Sequence, residues 1–154
     1  MKKIVMCFGT FDGLHAGHED YFRQAKDQGD ELIVIVSRDV TVVDLKGDLP
    51  RINESDRLGV VSNHPFVDDA RLGYAEDKYR IIEEVQPDVI CLGHDQEAFT
   101  ENLDAELSRR GLSASIVRCT AFYPDNFKSS LLRGARVDDE DIYAEAEYEE
   151  GMPL

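Results

Sequence analysis

The stretch IVMCFGTFDGLHAGHEDYF, residues 4–22, joins an apolar run to an amphipathic one through a loop of small and polar residues. The apolar run predicts a buried strand, and the pattern over residues 16–28, followed by Gly29, predicts a helix. His15 and His18 lie three residues apart where this helix begins. Free N–H groups and the positive end of the helix dipole suit an anion at that position, and imidazoles there can donate hydrogen bonds to phosphate.

The residues alone leave two other interpretations of the histidine pair open. In the first, both side chains are ordinary surface residues around a helix cap. The second is a zinc site, which the sequence disfavours because histidines at i and i+3 across a helix start lack a third ligand nearby.

Apolar runs and amphipathic stretches alternate along the chain. Strands are expected at residues 3–8, 31–37, 66–73, 88–93 and 113–120. Helices are expected at residues 16–28, 53–64, 76–85 and 100–111, with Asn53 and Thr100 as N-caps, and residues 38–52 are expected to form a short turn or helix and then a loop. Strands that alternate with helices imply βαβ units with right-handed crossovers. We therefore expect an α/β fold: a single Rossmann-like domain with a doubly wound, five-stranded parallel sheet.

The chain is strongly acidic, with 32 acidic and 17 basic residues and a formal net charge of -15. Such a surface repels phosphates, so nucleic acid is not an expected partner. Much of the excess lies in residues 137–154, which we interpret as an acidic C-terminal tail after a folded domain over residues 1–136. No apolar stretch approaches the roughly 20 residues that span a bilayer, and the one at the N-terminus is too short for a signal peptide. We expect a cytoplasmic protein with no membrane partner.

The three cysteines, Cys7, Cys91 and Cys119, each lie in an apolar run. Their odd number and the absence of a CxxC pair argue against a disulfide framework. Small buried residues are the expected role. If the three runs form neighbouring strands the thiols lie close together, which leaves a soft-metal site as a remote alternative.

Ligands of a doubly wound sheet bind beyond the carboxyl ends of the strands, where the strand order reverses. This rule selects four segments as the candidate site: residues 9–18, 37–46, 93–96 and 120–130. His94 lies in the third of them. The fourth carries Phe122, Tyr123 and Phe127, which suit either packing or a platform for a flat ring.

The segments Gly9-Thr10-Phe11-Asp12 and His15-Ala16-Gly17-His18 resemble the GTFD and HxGH elements of the cytidylyltransferase-like nucleotidyltransferases, which open a Rossmann-like domain. Four later segments are similar to the family's substrate loop, next helix, fourth-strand element and closing ISTTxIK element: GDELIVIVSRDVTVVDLKGDLP, ESDRLGVV, PDVICLGHDQ and FKSSLLR. The resemblance covers nearly all of the chain before the acidic tail.

This resemblance implies a set of site residues. The catalytic residues that it implies are His15, His18, Lys46 and Arg57. The nucleotide-binding residues that it implies are Gly9, Thr10, Phe11, Gly17, Gly93, Asp95, Ser129 and Ser130. In these roles the histidines hold the α-phosphate and leaving group, Lys46 binds the phosphate of the second substrate, and the two serines hold the outer phosphates. Mg²⁺ or another divalent cation accompanies the nucleotide and keeps most of its waters, so no dedicated metal-binding residues are expected.

Within the family, the segments GDELIVIVSRDVTV, LKG and PDVICLGHDQ are most similar to the archaeal-type FAD synthases. The resemblance implies transfer of AMP from ATP to the phosphate of FMN, with FAD and pyrophosphate as products, and it suggests a homodimer. The acceptor phosphate is already ionised, so catalysis rests on positioning and on stabilising negative charge.

Two alternative functions remain. One is a CTP-dependent glycerol-3-phosphate cytidylyltransferase. The other is a nucleotide-binding module with weak or no catalysis, which is motivated by two departures from the family pattern, the acidic loop Gly47-Asp48-Leu49-Pro50 and Lys128 in the closing element.

Overall fold

The computed structural model describes residues 1–94, 96–97 and 100–122 of the chain. The strands are β1 (Ile4–Gly9), β2 (Glu31–Val36), β3 (Asp69–Leu72), β4 (Val89–Leu92) and β5 (Ser115–Arg118). The helices are α1 (Ala16–Lys26), α2 (Asp39–Lys46), α3 (Glu54–Ser62), α4 (Arg80–Val85) and α5 (Leu103–Arg109), with a 3₁₀ turn at Thr100–Asn102. The predicted boundary between domain and tail, at residue 136, lies outside the described residues.

The five strands form one parallel sheet in the order β3-β2-β1-β4-β5. The chain first builds outward from β1 through β2 to β3, and then returns to place β4 on the other side of β1. The strand order therefore reverses between β1 and β4, and this is the position at which doubly wound sheets bind ligands. The predicted fold class is confirmed.

The alternating side chains of the strands divide the core into two layers. Val5, Cys7 and Val34 face the layer that contains Phe22 of α1 and Val61 of α3. The other layer contains the side chains of Met6, Ile33 and Ile90, together with Ile82 of α4 and Leu107 of α5. Because both faces are covered, the strands are apolar at nearly every position.

Two helices begin later than the sequence predicts. The predicted helix over residues 76–85 is reduced to α4, because the Asp77 carboxylate accepts a hydrogen bond from the Tyr79 backbone N–H and forms a local turn. Thr100, the predicted N-cap, instead donates its hydroxyl hydrogen bond to the Glu97 carbonyl, and α5 begins after the 3₁₀ turn. The Asn53 cap is confirmed, since its side-chain oxygen accepts from the backbone N–H of Asp56 at 2.9 Å.

Arg57 of α3 ties the loops at the carboxyl edge of the sheet together. It is 1% exposed and is the largest fully buried side chain of the described residues. Its guanidinium donates to the carbonyls of Thr10 and Ser37, each at 2.8 Å, and these residues follow β1 and β2 directly. It also donates to the Ile52 carbonyl at 2.8 Å and to the Asp39 carboxylate at 2.7 Å. One buried cation thus fixes where two strands, α2 and α3 meet.

None of the described helices has the length and apolar character that crossing a membrane requires.

We predict that Arg57→Met lowers the free energy of unfolding by about 3 kcal/mol or more, because it leaves several buried carbonyls and one carboxylate without their donor. Urea denaturation measures this change. Arg109→Met is the matched control, since Arg109 makes only an exposed ion pair with Glu106 and should shift stability by less than about 0.5 kcal/mol. Equal effects of the two substitutions would show that the carbonyls near Arg57 find other partners.

Candidate active site

A cleft of about 540 Å³ opens where the strand order reverses. Its walls are the residues that follow β1, β4 and β5 and the first turns of α1. The lining residues are Phe8, Gly9, Thr10, Phe11, Gly17, His18, Asp20, Tyr21, Gly93, His94, Gln96, Cys119, Thr120 and Phe122. Three of the four segments selected from the sequence therefore contribute to this cleft.

His15 and His18 form a reciprocal cap at the start of α1. The Nδ1 atom of His15 accepts a hydrogen bond from the Gly17 backbone N–H at 3.0 Å, and Nδ1 of His18 accepts from the His15 backbone N–H at 3.3 Å. The two rings stack with their centroids 3.9 Å apart. Their i, i+3 spacing therefore serves the helix cap and stacks the two imidazoles, of which His18 lines the cleft and His15 lies directly behind it.

The same hydrogen bonds determine where the imidazole protons lie. Because both Nδ1 atoms accept, this network assigns the proton of each neutral ring to Nε2. Burial, reinforced by the nearby charge of His15, lowers the pKa of His18 to about 3, although a hydrogen bond with the Gly13 backbone opposes the shift. His18 is thus a neutral N–H donor at physiological pH.

The ring of Phe11 packs against the imidazole of His18. Its backbone is left-handed, with φ of 56°, and its ring folds back against Gly9. A Cβ atom at Gly9 would lie 2.4 Å from the Phe11 ring, so this close approach requires glycine. The Phe11 ring meets His18 edge-on, with 5.3 Å between centroids, and packs against Phe22 at the same separation. The apolar core therefore sets the orientation of the imidazole.

Thr10 contributes a buried hydroxyl to the cleft. The residue is 4% exposed, and its Oγ1 atom has no hydrogen-bond partner within the described part of the chain. A buried polar group in that condition costs free energy unless a ligand satisfies it. The cleft therefore contains an atom that suits an oxygen-rich ligand.

Asp12 and Arg57 hold the turn from behind. The Asp12 carboxylate accepts hydrogen bonds from the backbone N–H groups of Arg51 and Ile52, each at 2.8 Å. Arg57, which the family resemblance marks as catalytic, directs its guanidinium to main-chain carbonyls and to Asp39 and does not line the cleft. Both residues thus bear on the chemistry by fixing the loop that carries Thr10.

Gln96 lines the opposite wall of the cleft; it lies in the candidate segment 93–96, but the sequence predicted no role for it. Its side-chain oxygen accepts from the Gly93 backbone N–H at 3.0 Å, and its Nε2 donates to the Phe8 carbonyl at 2.9 Å. Arg118 donates to the carbonyls of Gly93 and Gln96. The only hint in the sequence was an amide residue in the loop after β4.

Asp95, Ser129 and Ser130, which the resemblance implies as nucleotide-binding, lie outside the described residues, as do Tyr123, Phe127 and Lys128.

The three cysteines lie in the core layer beneath the cleft, as neighbouring strands would place them. Cys7 and Cys91 are in register on β1 and β4, and Cys119 follows β5 in the same layer. Burial raises the pKa of Cys7, and a hydrogen bond with Cys91, together with burial, raises that of Cys119. Among the described residues no group of three potential ligands could hold a metal ion. All three thiols are buried, which suits the packing role expected from the sequence, and Cys119 also lines the cleft.

A second cleft, of about 370 Å³, lies at the carboxyl ends of β2 and β3. Its lining residues are Phe8, Ile35, Ser37, Arg38, Thr41, Gly73, Tyr74 and Lys78. It shares Phe8 with the first cleft, and the Ser37 backbone N–H donates to the Gly9 carbonyl at 3.0 Å. The two clefts thus lie on either side of the end of β1. Lys46, the last residue of α2, is half-buried and lines neither of them.

Known proteins resemble this chain in both sequence and fold. Residues 6–135 match the family described as cytidylyltransferase-like. The FAD synthase of Aciduliprofundum boonei is 37% identical over 142 residues, which cover 91% of this chain and 95% of that enzyme. The FAD synthase of Methanosarcina mazei is 45% identical over 114 residues, or 74% of each chain.

A solved structure from Thermoplasma volcanium, described as the lipopolysaccharide core biosynthesis protein, superposes with a TM-score of 0.76 at 37% identity. The match covers 80% of this chain and all of that one. The chain belongs to the cytidylyltransferase-like family of nucleotidyltransferases.

Proposed function

We propose that this protein is an FAD synthase, which transfers AMP from ATP to the phosphate of FMN and releases pyrophosphate. Relatives named FAD synthase, 37% to 45% identical over most of the chain, support this assignment. The observation that carries the proposal is the Thr10 hydroxyl, buried without a partner among the described residues beside two stacked imidazoles at a helix start. Such an arrangement suits phosphate oxygens.

The reaction needs no catalytic base. A phosphate oxygen of FMN is ionised at neutral pH and attacks the α-phosphorus of ATP. The new P–O bond forms while the bond between the α-phosphorus and the bridging oxygen breaks, and pyrophosphate leaves with that electron pair. Catalysis therefore consists of alignment and of stabilising the negative charge on the transferring phosphoryl group.

We assign that stabilisation to the turn after β1 and to the start of α1. The Nε2–H groups of His15 and His18 donate to the oxygens of the transferring phosphate and of the leaving group. Thr10 supplies its hydroxyl, and the start of α1 adds backbone N–H groups and the positive end of its dipole. Gly9 and Gly17 keep the backbone close to the phosphates. The remaining nucleotide contacts are assigned to Phe11, Gly93, Asp95, Ser129 and Ser130.

Mg²⁺ is the proposed metal. Thr10 and Asp20 line the cleft, but the Asp20 carboxylate already accepts hydrogen bonds from Arg23 and Gln24, and the described residues contain no set of three ligands. This donor set fits a hydrated ion that is held mainly by phosphate oxygens. When bound, the metal neutralises part of the phosphate charge.

The second cleft is the proposed acceptor site. It adjoins the nucleotide cleft across the end of β1, so two ligands in these clefts would meet above the histidine turn. Arg38 and Lys78 contribute positive charge to its walls. We assign Lys46, at the end of α2, to the phosphate of the acceptor, which requires the side chain to reach the cleft when the acceptor binds. A homodimer and a cytoplasmic location remain predictions from the sequence.

We predict that His18→Gln lowers kcat for FAD formation by about 10²-fold or more, because the variant loses an oriented donor to the transition state. Release of pyrophosphate and formation of FAD from ATP, FMN and Mg²⁺ provide the measurement. His64→Gln is the matched control: His64 packs between Phe22 and Phe66 outside the described cleft lining and should retain nearly normal kcat.

The wild-type protein should also be assayed with every pairing of ATP or CTP with FMN or glycerol 3-phosphate. Turnover with ATP and FMN supports the proposal. Turnover only with CTP and glycerol 3-phosphate would contradict it, and no turnover with any pair would favour a binding module.

We predict opposite effects of Thr10→Val on stability and activity. The substitution keeps the side-chain shape and removes a buried hydroxyl that has no hydrogen-bond partner among the described residues, so the free energy of unfolding should rise by about 1 kcal/mol. The same change should lower kcat/KM for ATP by about tenfold, which corresponds to the loss of one hydrogen bond to phosphate. Thr10→Ser retains the hydroxyl and should retain activity. A Thr10→Val variant with wild-type kcat/KM would remove the hydroxyl from the proposed mechanism.

The pKa of His18 leads to a pH-dependent stability. The folded protein holds this pKa at about 3, against an ordinary value of 6.5, so between these values the unfolded chain binds a proton that the folded chain excludes. The contribution to stability is therefore complete above about pH 6.5 and is lost as the pH falls.

On lowering the pH from 7 to 5, wild-type protein should lose about 2 kcal/mol more unfolding free energy than His18→Gln. Urea denaturation at the two pH values measures the difference. His94→Gln replaces an exposed imidazole and serves as the control. Parallel pH profiles of wild type and His18→Gln would contradict the proposed neutral state of His18.

A further inference from the structure

Tyr74 lines the second cleft at the edge of the sheet, and Phe8 is the other aromatic residue of that lining. Tyr74 follows β3 by two residues and packs against the core layer that contains Phe8 and Ile35. The wall that these three residues form is apolar. The resemblance to the family did not mark Tyr74 as a site residue.

The Tyr74 ring is held in place on two sides. Its hydroxyl donates to the Glu84 carboxylate, with oxygen–oxygen distances of 2.9 and 2.7 Å. The guanidinium carbon of Arg80 lies 4.3 Å from the ring centroid. A ring that is already ordered loses little conformational entropy when a ligand stacks on it, so it makes an effective binding surface.

Positive charge lies next to this apolar wall. Arg38 and Lys78 both line the cleft, and Nε of Arg38 donates to the Gly73 carbonyl at 2.7 Å, which anchors the guanidinium beside Tyr74. Arg38 also forms an ion pair with Glu54 at 3.4 Å, so Lys78 and the remaining donors of Arg38 supply the positive character of this wall. The combination suits an acceptor that has both a flat aromatic part and an anionic part.

A small polyol phosphate would interact with the cations of this cleft but not with its apolar wall. It can pair with the cations, but it has no flat surface to cover Tyr74, Phe8 and Ile35. The lining of the cleft therefore favours an acceptor that carries a flat ring as well as a phosphate.

We propose that Tyr74 is a specificity-determining residue, on which the isoalloxazine ring of the acceptor stacks. The inference rests on the proposed function, because it names the part of the acceptor that this cleft recognises. Tyr74 does not contact the reacting atoms, so its loss should affect acceptor binding and leave kcat at saturating FMN largely unchanged.

The test is FMN binding, measured without ATP by the quenching of flavin fluorescence that accompanies stacking on a tyrosine ring. Wild-type protein should quench FMN fluorescence. Tyr74→Leu should abolish most of the quenching and raise both the Kd and the KM for FMN by about tenfold, with KM for ATP unchanged. Tyr74→Phe keeps the ring and should stay within about threefold of wild type. Tyr79→Leu is the matched control, because Tyr79 also packs against an arginine, Arg110, but does not line the cleft.

Riboflavin provides a test that needs no variant. It has the ring but no phosphate, so it should bind with quenching and should compete with FMN. Ribose 5-phosphate has the phosphate but no flat ring and should compete far more weakly.

Two results would overturn the inference while leaving the proposed function intact: wild-type FMN affinity in a folded Tyr74→Leu variant, or failure of riboflavin to compete in a protein that makes FAD. If the wild-type protein neither binds nor adenylylates FMN, the proposed function fails and the inference fails with it.

Discussion

The buried guanidinium of Arg57 is the constraint on which the rest of the site depends. A charge with 1% exposure must have its hydrogen bonds satisfied inside the protein, and here the acceptors are main-chain carbonyls at the ends of β1 and β2 and before α3. The cation therefore holds together three segments that would otherwise be separate surface loops. Its bond to the Thr10 carbonyl also fixes the residue whose hydroxyl faces the cleft. Arg57, which does not line the cleft, thus sets the position of the Thr10 hydroxyl, which does.

The turn after β1 keeps several features that cost stability. Phe11 has a left-handed backbone, the buried Thr10 hydroxyl finds no partner in the part of the chain that the structure describes, and His18 is buried as a neutral imidazole. Residues in such states persist only where the surrounding structure compensates, and they concentrate at functional sites. The compensation here comes from Arg57 and Asp12 behind the loop and from the Phe11–Phe22 contact beneath it. The stability that this turn gives up is thus consistent with the phosphate-binding role proposed for it.

Much of this could be predicted from the sequence, because the decisive signals are local. The order of strands and helices follows from apolar periodicity, and the histidine turn is ten contiguous residues after a strand. The contributions of Gln96 and Tyr21 could not be predicted, because their partners, the Phe8 and Cys91 carbonyls, lie 88 and 70 residues away in the chain. The late start of α4 depends on a competing side-chain bond of Asp77, which helix periodicity does not reveal. The direction of the Arg57 side chain likewise depends on tertiary contacts.

The strongly acidic composition must still be reconciled with binding two anionic substrates. At long range a net charge of -15 repels both ATP and FMN, and salt screens that repulsion over a Debye length of about 10 Å at 0.1 M. In the proposed sites the ligand would meet directed donors instead: the start of α1, the imidazole of His18, the Thr10 hydroxyl and the cations of Arg38 and Lys78. Hydrogen bonds at contact distance are screened far less than the surface field. Recognition in this protein therefore depends on short-range geometry at the end of β1, and the acidic surface can serve solubility without preventing substrate binding.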